Sequence, residues 1–181
     1  MSTTEITVLV IVLVLLVVAV AAFVAWRRQQ QLKRTFGPEY DRTVEHAGGV
    51  LSATRELSGR TKRRDALNIR PLDEQSRQAY ALQWRDVQEQ FVDAPDQAVR
   101  NADALIGRVM HDRGYPVQDF EQQARDVSVD HAHVVEHYRS AHDVQTRSAR
   151  GETSTEDLRT AMVHYRELFD DLLEPDREHS G

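Results

Sequence analysis

The stretch Ile6–Trp26, ITVLVIVLVLLVVAVAAFVAW, decides how the rest of the chain is read. From Val8 to Ala25 it holds 18 residues with no charge, no proline and no glycine. An α-helix rises about 1.5 Å per residue, so roughly 20 such residues cross a hydrocarbon core of about 30 Å. The length predicts one transmembrane helix over residues 6–26, with 1–5 as a short tail beyond it. A cleaved signal peptide is the rival, and Ala19-Val20-Ala21 has the form of a cleavage box. Signal peptides carry a basic n-region and an apolar core of about 7–15 residues. Here Glu5 is the only charge before the run, and the run is longer. An uncleaved anchor is therefore expected.

The flanks set a direction. Arg27, Arg28, Lys33 and Arg34 follow the span with no acid before Glu39, and the N-terminal side has no base. Basic flanks stay cytoplasmic. The expectation is a plasma-membrane protein with its N-terminus outside and residues 27–181 in the cytoplasm. Trp26 suits the interface, where an amphipathic ring meets both media. The four bases also form a basic juxtamembrane segment, 27–38, fit to meet anionic lipid. Ala21 and Ala25 make a small-xxx-small pair that would let two spans approach, although alanine is common in spans for no such reason.

Beyond the span, 23 basic residues face 28 acidic ones. That mild acidity argues against a general nucleic-acid partner, which asks for a basic face. The charge is uneven, with a second basic cluster at Arg55, Arg60, Lys62, Arg63, Arg64 and Arg70. It would lie on the membrane face, meet an acidic partner or simply be solvated. The chain has no cysteine, which excludes disulfides, thiol catalysis and cysteine-ligated metal centres.

The remainder reads as helices joined by short connections. Gly37-Pro38 ends the anchor helix, and 39–47 forms a short helix with Tyr40, Val44 and Ala47 on one face. Gly48-Gly49 breaks the chain before a helix from Val50 to Ala66 that buries Val50 and Leu57. Asp73 is placed to cap a helix whose stripe is Tyr80, Trp84, Val87 and Phe91. Asp93 would cap the next, with Pro95 in its first turn and Ala98, Ala102, Leu105, Ile106 and Val109 inward, up to Gly114 and Pro116. A shorter helix over 118–127 follows, and Asp130 would cap another running to Ala149. Thr153-Ser154-Thr155-Glu156 has the form of a capping box before a last stripe, Leu158, Ala161, Met162, Tyr165, Leu168, Phe169 and Leu172. No stretch alternates as a strand does. The expected fold class is all-α: a single N-terminal transmembrane helix followed by a cytoplasmic multi-helix bundle over 39–174, with 175–181 as a tail.

Five stretches carry a resemblance. They are FGPEYDR at 36–42, IRPL at 69–72, RGYP at 113–116, SVDH at 128–131 and STEDLRTAMVHYR at 154–166. Over nearly its full length the chain resembles a family of uncharacterised single-pass membrane proteins of high-GC bacteria, for which no activity is known. The resemblance implies a helical domain behind an anchor and adds no catalytic residue.

Chemistry is thinly signposted. His133-Val-Val-Glu136-His137 fits H-x-x-E-H, which on a helix sets two imidazoles one turn apart for a metal, with Glu136 as a base. A third ligand would have to come from His111, His131, His142 or His164, and nothing in the sequence selects one. The plainer reading is an exposed face beside Val134 and Tyr138. Glu167, Asp170, Asp171 and Glu174 make an acidic helix end, disfavoured by the helix dipole, that reads as a solvated face or as a contact for a partner or arginines. Tyr80, Trp84 and Phe91 suit a core better than a ligand pocket. Gly48-Gly49 lacks the lysine of a phosphate loop, and no G-x-S-x-G occurs. The expectation is a non-enzymatic interaction or scaffold module with no cofactor, an unidentified cytoplasmic protein as partner and self-association as a further option. The alternative is a small metal-dependent enzyme or metal sensor using His133 and His137.

Overall fold

A computed structural model describes residues 3–117 and 119–174. Among the described residues there are eight helices and no strand, so the chain is all-α. Helix α1 (Thr3–Phe36) is 34 residues long and, among the described residues, is the one helix long and apolar enough to cross a membrane. At about 1.5 Å per residue it extends some 50 Å. Its apolar positions from Ile11 to Trp26 stay exposed, whereas Leu32 and Phe36 near its end are buried.

Gly37, at φ 45°, turns the chain, and Pro38 opens α2 (Pro38–His46) at a position where its missing N–H costs nothing. Gly48 and Gly49 turn it again into α3 (Val50–Asp65). Leu32, Phe36, Tyr40 and Leu57 close a small core, with Val44 and Val129 at its edge. Helix α1 thus runs on into the folded body. Val50 is not part of that core. It is 42% exposed, because the first turn of α3 lies in the open and the buried face starts at Ala53 and continues through Leu57, Ser58 and Arg60.

The larger core belongs to α4 (Glu74–Gln90), α5 (Pro95–Arg113), α6 (Phe120–Val127), α7 (Val135–Ser148) and α8 (Thr155–Leu173). Helix α8 packs on α7 and α5, and α5 packs on α4. All five inward positions expected of α5, and all seven of α8, are buried. Trp84 stacks on Phe169 at 4.7 Å, and Tyr138 meets Tyr165 edge-on at 6.3 Å. Full burial of each large apolar side chain contributes roughly 1.5–3 kcal/mol.

Helix ends follow local chemistry, with three corrections. Asp73 accepts the Ser76 N–H at 2.7 Å, as its position predicts. Gly114 takes φ 97° to end α5, and a Cβ there would lie 2.4 Å from the Asn68 carbonyl oxygen, so the α3–α4 connection crosses directly above it. Asp93 does not cap α5: with Pro95 at the first helical position, the cap is Ala94, and Asp93 sits one residue too early. Asp130 does not cap α7, which starts only at Val135, because its carboxylate takes Arg64 Nε at 2.7 Å and the Tyr115 hydroxyl at 2.8 Å. The capping box before α8 is Ser154 with Asp157, one residue later than expected.

The two cores are joined by charge. Glu39 is fully buried and accepts Arg60 Nη1 at 2.5 Å and both terminal nitrogens of Arg139, at 2.7 and 3.0 Å. Arg60 also reaches Glu56 and the Ser128 hydroxyl, and Arg42 and Arg139 share Glu136. Arg63 pairs with Asp126 at 2.9 Å. Half of the second basic cluster is paired within the molecule: Arg60, Arg63 and Arg64 tie α3 to the 126–130 segment and to α2, while Arg55, Lys62 and Arg70 are exposed.

Burial pushes the Glu39 carboxyl up, but hydrogen bonds and charge from Arg139 and Arg60 outweigh it and hold its pKa below the ordinary 4.5. Replacing Glu39 by Ala is expected to cost about 3–5 kcal/mol in urea unfolding, because two nearly buried guanidiniums lose their acceptor. A depressed acid stabilises above its unfolded pKa. The Glu39 contribution is therefore complete above about pH 4.5 and is lost as pH falls through the lower folded value, and the parent's acid-unfolding curve, compared with that of Glu39→Gln, checks it.

Candidate functional site

Arg27, Arg28, Lys33 and Arg34 are exposed and make no ion pair among the described residues, although the Lys33 ammonium lies 5.3 Å from the centre of the Tyr40 ring. They occupy the stretch of α1 between its apolar part and the small core.

The H-x-x-E-H pattern does not form the expected helical pair. His133 lies in the turn before α7, and only Glu136 and His137 are helical. The two imidazoles turn to different carboxylates of α8: His133 Nε2 is 3.4 Å from Asp171, and His137 Nδ1 bonds Glu167. Glu136 faces away, to Arg42 and Arg139. His131 Nδ1 takes the other Asp171 oxygen at 2.5 Å. The acidic end of α8 is thus met within the chain: Glu167 by His137, Asp171 by His131 and His133, and Asp170 by Arg166. His164 stacks on His137 at 4.6 Å. No group of three or more His, Asp or Glu is placed to hold a metal ion among the described residues.

A different site appears between α4, α5, α6 and α7. It is a cleft of about 610 Å³, a volume in the range of small-molecule sites. Its floor is the polar ridge of α5, where Asp103, Gly107 and His111 succeed one another at one-turn spacing, beside Ala104, Arg108 and Asp112. Asp103 Oδ1 accepts the Tyr165 hydroxyl at 2.8 Å and lies 3.2 Å from His142 Nδ1. Asp112 accepts the Tyr80 hydroxyl at 2.6 Å and lies 3.3 Å from His111. The Tyr80 and His111 hydrogen bonds hold the Asp112 carboxyl below its usual range, while burial and then Asp112 push the Tyr80 phenol up to about 12. Phe120 stacks flat on His142 at 3.6 Å to form one wall, and Tyr138 forms another.

Of the aromatic residues weighed for a pocket, only Tyr80 borders this cleft; Trp84 and Phe91 belong to the core. Sequence reasoning missed Asp103, Phe120, Tyr138 and His142 as a group, because they come from three helices. The available signal was Gly107, a glycine in the middle of an otherwise strong helix former, at one-turn spacing from Asp103.

No family model, curated protein or solved structure matches this chain.

Burial and then the charge of His137 hold the His164 pKa below 6.5, against a smaller opposing pull from Glu167. His137→Gln is expected to raise the His164 midpoint in an NMR titration of its imidazole proton. The sign follows for stability: a base with a lowered folded pKa stabilises above its unfolded value, so this contribution fades as pH falls below 6.5.

Proposed function

We propose that the chain is a membrane-tethered helical module that presents an interaction surface at the cytoplasmic face of the plasma membrane. It acts as a scaffold and not as an enzyme. In this reading α1 spans the bilayer with its N-terminus outside, and the helical body lies in the cytoplasm of a high-GC bacterium. Its partners are the lipid bilayer, a cytoplasmic protein and, through the spans, a second copy of the chain.

The observation that carries this reading is the burial of Leu32 and Phe36 at the end of the apolar helix. The segment after the span is a continuation of the helix and is gripped by the small core. From Trp26 to Phe36 the rise is about 15 Å at 1.5 Å per residue. A body so held has a fixed height above the bilayer, which suits a surface that must meet partners at the membrane. The exposed Arg27, Arg28, Lys33 and Arg34 support the same placement, each contributing about 1 kcal/mol beside an anionic leaflet.

The absence of native cysteine makes the topology directly measurable. Ser2→Cys is expected to react with an impermeant maleimide on intact cells, and Ser180→Cys only after permeabilisation. Labelling of Ser180→Cys in intact cells, with Ser2→Cys labelled only after permeabilisation, would reverse the orientation; labelling of both in intact cells would overturn the single span. Crosslinking in native membranes is expected to recover a defined cytoplasmic partner that is lost when the body is severed from its span; substrate turnover by the purified chain with no partner would count against a scaffold.

A further inference from the structure

We infer that the tip of the α2–α3 hairpin, Val50 and Leu51, inserts into the interfacial layer of the bilayer beside α1. The inference rests on the reading of α1 as a span, and its test separates the two.

The first observation is where the tip lies. Glu39, in the first turn of α2, bonds Arg60, late in α3, across the Gly48-Gly49 turn, so the two helices run antiparallel. The base of this hairpin meets the body, through Arg139 on Glu39 and Ser128 on Arg60. The tip is the other end, about 12 Å away along the helices. Helix α1 packs on α2 and α3. Its covered residues are Phe36, Leu32 and, half-buried, Gln29, while 21–28 are exposed. That cover climbs α1 from Phe36 to Gln29, about 10 Å, in the direction of the apolar stretch. The Lys33 ammonium over the Tyr40 ring sets the first turn of α2 beside the last turn of α1. The hairpin therefore rises along α1, and its tip ends near the level of Gln29, one turn below Trp26.

The second is what the tip exposes. Leu51 is 85% exposed and Val50 42%, two adjacent aliphatic side chains at an open helix end. Apolar surface held in water is unfavourable in proportion to its area, and a bilayer interface removes that penalty. Val92 is as exposed, at 84%, but it lies in the connection of α4 and α5, helices of the larger core.

The third is charge. Arg55 lies one turn beyond Leu51 on the same open face, and Arg27 and Arg28 stand at the neighbouring level of α1. The exposed acid near the tip is Glu45, since Glu56 is turned to Arg60. Acids are favoured in a first helical turn, yet α3 has none there. An aliphatic tip with a basic rim matches an anionic leaflet, the arginine stems reaching back to the headgroups. Two such tips face to face would bring their arginines together, which disfavours a second copy of the chain as the cover.

The chain has no cysteine, so single cysteines carry an environment-sensitive fluorophore to chosen positions. The full-length chain is reconstituted in vesicles of phosphatidylcholine and phosphatidylglycerol, with and without doxyl-labelled lipid as quencher. The probe at Leu51→Cys is expected to be blue-shifted and quenched severalfold more than the probe at Val92→Cys. Val17→Cys, within the apolar stretch, reports on α1 by itself. Quenching at Val17→Cys with none at Leu51→Cys overturns the tip alone; no quenching at either overturns the span and the tip together. A blue-shifted Leu51→Cys probe that doxyl lipid does not quench means that protein covers the tip, and it also overturns the inference. With the probe moved to Ser52→Cys, adding Leu51→Glu should abolish the quenching and leave Tm unchanged, because the leucine side chain is exposed. Quenching that survives Leu51→Glu overturns it as well.

Discussion

The carboxylate of Glu39, closed between Arg60 and Arg139, is the contact on which the arrangement of this protein depends. It sits at the start of α2, directly after the turn that ends α1, and its partners come from α3 and α7. The wider network is balanced: Glu39, Glu56 and Glu136 against Arg42, Arg60 and Arg139. A buried carboxylate alone would bear a large desolvation penalty, and only well-placed guanidiniums offset it. Hydrogen-bonded ion pairs are directional in a way that apolar contact is not. The small core of Leu32, Phe36, Tyr40 and Leu57 holds the end of α1 in place, and the charge network fixes how that unit sits on the bundle.

The cleft is a consequence of the same layout. Helix α6 has only eight residues and leans on α3 and α7, where Arg63 holds Asp126. It is too short to cover the polar ridge of α5 as well. The other side of α5 is fully used, against α4 and α8. One helix thus serves the main core with its alanine and aliphatic stripe and floors an open, polar site with its Asp103–Gly107–His111 ridge.

The histidine-rich join of α7 and α8 shows why a sequence pattern and a site differ. H-x-x-E-H is a statement about a helix, and His133 is not on one. The helix starts late because Asp130, the expected cap, is drawn away by Arg64 from α3, 66 residues earlier in the chain. A long-range ion pair outcompeted a local capping bond, and the two imidazoles then found separate carboxylates on α8. Three charges of the basic cluster at 55–70, Arg60, Arg63 and Arg64, were hidden for the same reason: Glu39, Asp126 and Asp130 lie far along the chain.

By itself the sequence determined the element types and most of the core. An uninterrupted apolar run can only be satisfied in a helix, the 3.6-residue period marks which faces of α4, α5 and α8 turn inward, and Asp73, Pro95 and Gly114 act within a turn of where they stand. All of these are local effects, set by neighbours within a few residues. Tertiary structure alone decided what Glu39 meets, that the end of α1 is gripped, where α7 begins, and that Asp103, Phe120, Tyr138 and His142 share one cleft. Those depend on pairings between distant segments, and the energy of an ion pair or a cavity depends on burial, which no spacing along the chain encodes.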